Sequence, residues 1–264
     1  MLTYAVGDVH GRFDLLAAAI DMIDAHVGAR PFRLVMLGDY VDRGPDSRRV
    51  IELLMALQKR WRVTCLKGNH EELMVRAVID PSGGRLGQWL ANGGLETLRS
   101  YGLTEESDLA AGVPREHIRW LAALPRTTGD GHRIYVHAGL MPKTPIDKQK
   151  DETFLWIRER FLTAKANDFD AHVVHGHTPL WDGKPDPASP ELLAHRTNLD
   201  TGAFATGVLT VGVFDGSVPG GPVELLPVRG RPMGDFIPDP PDPKERRRGL
   251  GGWFGRRSAA DAAR

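Results

Sequence analysis

The chain has 264 residues, with 34 Lys and Arg set against 34 Asp and Glu, 41% hydrophobic and 26% charged residues. That composition describes a soluble globular protein with room for a substantial core, and it excludes a global basic field for nucleic acid. The single cysteine, Cys65, excludes a disulfide framework and a Cys-rich zinc site, and no apolar run reaches the ~18 residues of a transmembrane segment.

The first residues lack the basic start and apolar length of a signal peptide, so the cytoplasm is the expected compartment. Residues 3–6 are then β-rich and end at glycine, which reads as a buried strand. The same pattern recurs at 33–37, 63–66, 134–136, 172–174, 196–199, 207–214 and 223–228. Between the early runs, 13–26 and 47–59 carry apolar residues at helical spacing, and a further helix is expected over 71–79. Residues 80–125 predict a helical insertion, with turn signals at Gly83-Gly84 and Asn92-Gly93-Gly94. A Pro-rich loop covers 184–190. Strand and helix alternate in the first half, and the last third is strand and turn. The expected class is therefore mixed α/β, a sandwich of mixed sheets flanked by helices.

Charge divides the chain. Residues 244–264 hold seven Lys or Arg and two acids, a net of +5, which leaves 1–243 at −5. The run Pro-Asp-Pro-Pro-Asp-Pro at 238–243 excludes helix and central strand. A folded domain is expected over 1–228, and a Pro-rich, then basic, disordered tail over 229–264.

The loops that leave the strands carry the chemistry. Five strands end in Gly7-Asp8-Val9-His10-Gly11, Gly38-Asp39-Tyr40-Val41-Asp42-Arg43-Gly44, Gly68-Asn69-His70-Glu71, His137-Ala138-Gly139 and His175-Gly176-His177-Thr178. In α/β sheets, ligand sites form outside the carboxyl ends of strands, so these clusters can converge. Carboxylate, imidazole and amide without thiolate suit manganese, iron or zinc. A carboxylate such as Asp39 can bridge two ions, which would clamp the oxygens of a phosphoryl displacement.

This ordered set resembles the calcineurin-like metallophosphoesterase superfamily. Val41-Asp42-Arg43-Gly44, and the Glu after Asn69-His70, resemble its PPP-type serine/threonine phosphatases. Leu155-Trp156-Ile157-Arg158-Glu159-Arg160 and Asp200-Thr201-Gly202-Ala203 are similar to its small bacterial and phage members. The resemblance covers about 2–213 and implies a metallophosphoesterase β-sandwich. It implies Asp8, His10 and Asp39 as ligands of one ion, and Asp39, Asn69, His137 and His177 as ligands of a second. His70 would be the general acid, with Asp42 orienting it. Arg43 and Arg158 would bind the phosphate. The implied reaction is hydrolysis of phosphoserine or phosphothreonine, and of phosphotyrosine as an extension, by a hydroxide bridging two divalent ions, manganese first. The implied partner is a phosphoprotein or phosphopeptide, met by a monomer.

Two rival readings stand beside this one. A dinucleoside polyphosphate hydrolase shares the metal motifs, although Asp42 tends to be missing in that branch. A catalytically inactive phosphoprotein scaffold predicts a lost ligand or acid, and no matched position is lost. Nucleic acid is not expected, because the body's net −5 charge repels a polyanion. In the tail, basic residues around Trp253 and Phe254 offer contact with an anionic surface. His175 reads as a strand histidine behind the site, and His26, His117, His132, His172 and His195 as structural or solvated. Asp200 reads as a turn residue bracing the site, Glu71 as a helix start, and Cys65 as inert. Asn92 and Thr97 have two readings, either as turn and helix residues or as approaching the site.

Overall fold

The computed structural model describes residues 1–179 and 188–233. One five-stranded sheet contains β1 (Leu2–Val6), β2 (Phe32–Met36) and β3 (Val63–Cys65), all parallel. A second holds β4 (Thr127–Gly129), β5 (Arg133–Val136), β6 (His172–His175), β7 (Glu191–Leu192) and β8 (Arg196–Asn198) in the order β4-β5-β6-β8-β7, with β5, β6 and β8 parallel. The chain then returns to the first sheet as β9 (Val208–Asp215) and β10 (Glu224–Arg229), antiparallel, completing the order β10-β9-β1-β2-β3.

Strand alternation creates the layers. Tyr4, Val6, Leu34 and Met36 face helices α1 (Phe13–Val27) and α2 (Ser47–Leu57). The intervening Ala5, Val35 and Leu37 point the other way and meet Tyr135 and Val174 of the second sheet, with Leu199 and Phe214. Val136 and Val173 pack outward against Phe154 and Phe161. Burying each such side chain is worth roughly 1.5–3 kcal/mol. The expected mixed sandwich is therefore what forms, with every expected strand present to within a residue or so at each end. β4 and β7 are additional, since two or three residues show no periodicity.

The insertion continues from α3 (Asn69–Ile79) through α4 (Arg85–Trp89), a kinked turn Leu90–Gly94, α5 (Leu95–Ser100), α6 (Leu109–Gly112) and α7 (Arg115–Ala123). Asn92-Gly93-Gly94 does break the helix as its composition suggests, at Gly93. The chain kinks there, with Gly93 in the left-handed region at φ 96°, where glycine carries no side-chain penalty. α8 (Asp151–Trp156) and α9 (Glu159–Leu162) lie against the second sheet, and α10 (Ala203–Thr206) precedes β9. Among the described residues no helix is long and apolar enough to cross a membrane. Most of the expected tail, Trp253 and Phe254 included, lies outside the described residues, as do 180–187, which take in the first half of the Pro-rich loop.

The ends of the strands opposite the motifs are fastened by arginines. Fully buried Arg133, on β5, donates Nε to the Gly220 carbonyl at 2.6 Å and Nη1 to that of Asp215 at 3.2 Å, joining the two sheets. Its charge is met by Asp130, 3.0 Å away, which also accepts from the Tyr135 hydroxyl at 2.9 Å. Burial alone would raise the Asp130 carboxyl, but the His132 amide, Tyr135 and Arg133 outweigh it and hold the group below its ordinary range. A depressed folded pKa means that the stabilisation is present above the unfolded value, about 4, and is lost as pH falls through the folded value. Asp130→Asn is expected to cost roughly 1.5–3 kcal/mol at neutral pH. In thermal melts its gap to wild type should close as pH falls below about 4.

Candidate metal centre

Six parallel strand ends, three from each sheet, deliver their loops to one place. β1 supplies Asp8 and His10, β2 supplies Asp39, Asp42 and Arg43, and β3 leads into Asn69, His70 and Glu71 at the start of α3. β5 supplies His137, β6 leads to His177, and β8 leads to Asp200. All the carboxylates, imidazoles and the amide in this set are at most 5% exposed. The loops pack backbone against side chain. A Cβ on Gly176 would sit 2.0 Å from Asp8 Oδ1, so no other residue fits there without a shift. Among the described residues, six non-glycine residues have positive φ, and five belong to these loops: His10, Asp39, Asp42, Arg43 and His177. Strained backbone concentrates at functional sites.

Two groups of donor atoms are close enough to hold an ion each. His10, Asp39 and His70 form one, and Asp39, His137 and His177 the other, so Asp39 is common to both. His10 donates Nδ1–H to the Val41 carbonyl at 2.9 Å, and His137 does so to Leu37 at 3.0 Å. Those bonds turn each Nε2 inward as a lone pair. His137 Nε2 then faces Asn69 Oδ1 at 2.9 Å and Asp39 Oδ1 at 3.3 Å, three acceptors that need positive charge among them.

The electrostatics make the same demand. Burial, then Asp200 and Asp39, push the Asp8 carboxyl well above its ordinary range. Burial raises Asp200 to about 6. Burial drives His10 well below its usual value, with Arg43 and His70 adding to the fall. For His137 burial acts downward, yet Asp39 outweighs it and raises the ring. Asp8 Oδ1 is buried with no hydrogen-bond donor among the described residues. An uncompensated buried carboxylate is costly, and a divalent cation removes that cost. Carboxylate, imidazole and amide oxygen suit manganese, iron or zinc, so these residues fit such ions.

Within the first group, His70 Nδ1–H donates outward to Asp42 Oδ2 at 2.7 Å, with both side chains fully buried. Asp42 also accepts from Trp89 Nε1 and Thr97 Oγ1. Arg43 directs Nη1 at His10 Nε2 (3.0 Å) and Nη2 at His70 Nε2 (3.2 Å). Arg158, between α8 and α9, is bonded to the His177 carbonyl and the Thr178 hydroxyl at 3.2 and 2.9 Å. The spacing of its neighbours suggests a helix. Arg158 instead stands in the break between α8 and α9, at φ −130°.

Glu71 is more than a helix start. Its carboxylate accepts the amides of Gly68 (2.8 Å), Asp39 (2.8 Å) and Tyr40 (2.7 Å), with Val41 at 3.4 Å, and so shapes the Asp39 loop. Burial, then Asp39, raise it to about 7 against the Tyr40 and Gly68 amides and His137. A Glu three residues after glycine is a legible helix-start signal, but the partner loop is not legible. Trp89 gives no sequence signal of its role, because a tryptophan in a helical insertion reads as core. Thr97 does reach Asp42, whereas Asn92 bonds back to the Gln88 carbonyl at 2.7 Å. His175 packs edge-on against Phe161 behind the donor groups and is lowered to about 3 by burial. Asp200 Oδ1 accepts the Gly202 amide at 2.9 Å, which is turn bracing as expected. Cys65 is buried and its thiol is pushed up by burial.

A sequence model of calcineurin-like phosphoesterases matches residues 1–205. The chain is 29% identical over 211 residues to serine/threonine-protein phosphatase 1 of Salmonella typhimurium, spanning 79% of this chain and 89% of that protein. It is 28% identical over 228 residues to the asymmetrical bis(5'-nucleosyl)-tetraphosphatase PrpE of Geobacillus thermodenitrificans, spanning 78% and 87%. Its fold is similar to the crystal structure of a cold-active protein-tyrosine phosphatase from a psychrophilic Shewanella, with a TM-score of 0.54 at 18% identity, covering 86% of this chain and 80% of that one.

The crowding of carboxylates yields a prediction with two opposite signs. Adding manganese to chelator-treated wild type should raise its melting temperature, since an ion bound to the folded state stabilises it. Asp8→Asn and Asp39→Asn should lose most of that gain and most of the bound metal by elemental analysis. Metal-free Asp8→Asn should melt no lower than metal-free wild type, because it removes a disfavoured buried charge.

Proposed function

Because this chain belongs to the calcineurin-like phosphoesterase family, we propose that it is a dinuclear metal-dependent phosphomonoesterase acting on phosphoserine and phosphothreonine in proteins. Asp8, His10 and Asp39 would hold one ion, and Asp39, Asn69, His137 and His177 the other, with manganese the preferred metal. Bound ions supply Lewis acidity and neutralise phosphate charge. Arg43 and Arg158 hold the phosphate through charge-assisted bonds. The two N–H groups that Arg43 now directs at His10 and His70 are the ones a phosphate dianion would take. His70 gives its Nε2 proton to the leaving oxygen. Asp42, on Nδ1, fixes the ring's orientation and raises its basicity.

The observation that carries this reading is the fully buried His70–Asp42 pair at 2.7 Å, which ties one ring of the first donor group to a carboxylate outside both groups. A serine or threonine alkoxide is a very poor leaving group and needs a proton as the bond to phosphorus breaks. A nucleotide leaving a dinucleoside polyphosphate is already a stable anion and gains far less from such an acid. The similarity to the Salmonella phosphatase agrees with this choice. The nearly equal similarity to the Geobacillus tetraphosphatase favours the second reading, hydrolysis of dinucleoside polyphosphates.

Steady-state assays with manganese separate the two. kcat/KM should be at least about tenfold higher on a phosphoserine peptide than on diadenosine tetraphosphate, and the reverse order would select the second reading. General acid catalysis typically contributes about 10²–10⁴-fold. His70→Asn should therefore cut kcat on the phosphoserine peptide by about that factor, and far less on nitrophenyl phosphate, whose anion leaves unaided.

A further inference from the structure

The insertion between α3 and β4 contributes no atom to either donor group, yet it closes over the His70–Asp42 pair. Trp89, at the end of α4, is fully buried, and its Nε1–H lies 2.9 Å from Asp42 Oδ1 and 3.0 Å from Oδ2. Thr97, on α5, is also fully buried. Its hydroxyl donates to Asp42 Oδ1 at 2.7 Å and accepts the Asp42 amide at 2.8 Å. With His70 on Oδ2, every direction from which this carboxylate is held is a specific bond.

The kink at Gly93 between the two residues makes this possible. A Cβ on Gly94 would meet the indole ring at 2.7 Å, so the turn presses bare backbone on the ring. The preceding Gly93 carbonyl accepts the Arg43 amide at 3.1 Å. One short turn therefore sets both the partner of His70 and the backbone of the arginine beside it. A buried indole N–H needs some acceptor. Here the acceptor is the carboxylate that orients His70.

The physics of the carboxylate explains what this does. The terminal torsion of Asp is broad, so one bond from His70 would leave its plane free to turn. Donors on both oxygens fix that plane and with it the direction of His70 Nε2. Small misplacement of a reacting group is costly in rate.

Resting on the reading of His70 as leaving-group acid, we propose that Trp89 and Thr97 are positioning residues for proton delivery. They hold Asp42, and through it aim His70 Nε2 at the leaving oxygen. The proton passes from His70 Nε2 to that oxygen as its bond to phosphorus breaks, and Trp89 and Thr97 exchange no proton.

Trp89→Phe deletes the N–H and keeps a ring, and Thr97→Val deletes the hydroxyl and keeps the shape. The manganese-loaded enzymes would be assayed on a phosphoserine peptide and on nitrophenyl phosphate, with metal content and melting temperature measured on each. Each variant should lose about tenfold in kcat on the peptide but about threefold or less on nitrophenyl phosphate, a fraction of the full general-acid contribution. In a His70→Asn background, Trp89→Phe should change the peptide rate by less than about twofold, because the group it positions is gone. Equal losses on both substrates, no loss, or losses that multiply in the double variant would each overturn the proposal. Should Trp89→Phe not fold, Thr97→Val carries the same comparison. If His70→Asn itself strikes both substrates equally, the acid reading fails and this inference falls with it. A selective His70→Asn beside an unselective Trp89→Phe overturns this inference alone.

Discussion

Like charge confined out of water governs this molecule. Asp8, Asp39 and Asp200 lie buried within reach of one another's fields, and Asp8 and Asp200 are held above their ordinary ranges. Left alone, the three repel, and Asp8 and Asp200 would take up protons, while His137, His70 and His10 keep Asp39 ionised against burial. What holds them together is the backbone beneath them, in loops whose conformations few residues adopt readily. A chain accepts that arrangement when a cation offsets it, which makes the affinity for metal the counterpart of a folding cost.

The rest of the core serves to hold those loops. Parallel strands are rigid and end abruptly, so each motif is presented from a fixed root. Glu71 gathers the amides of the Asp39 loop and ties the third motif to the second. The His177 amide donates to Asp8 Oδ2 at 3.0 Å and ties the fifth to the first. Each loop is therefore braced by a residue of another, and a slip in one would be felt in the next. This is the rigidity that a centre with strict distances needs.

Much of this is legible in the chain. Ligand candidates such as Asp8, His10, Asp39 and His137 sit in short runs fixed to strand ends, so their convergence follows from strand position alone. The β-rich runs at 3–6 and 33–37, each ending at glycine, likewise read as buried strands. The features that escape reading depend on distant packing. Trp89 is 47 residues from Asp42, and its spacing marks only an apolar helix face. Glu71 acts on a loop about 30 residues away. Arg158 stands at a helix break that its neighbours' helical composition conceals. β4 and β7 are too short to carry a period.

The division of the donor groups between the sheets has a mechanical consequence. Asp39 and Asn69 belong to the first sheet, and His137 and His177 to the second. Any ion shared by Asp39, His137 and His177 is thus a rivet across the sandwich. Arg133 joins the sheets at the other end. Drawing the rivet leaves its own end to lighter ties, such as His137 Nδ1–H on the Leu37 carbonyl and the His177 amide on Asp8, so that end should loosen first, about the arginine. Amide exchange after chelation would then quicken first in the carboxyl-terminal halves of β1, β2, β5 and β6, while their amino-terminal halves stay shut. Metal occupancy in this fold is in that sense a hinge pin as well as a reagent.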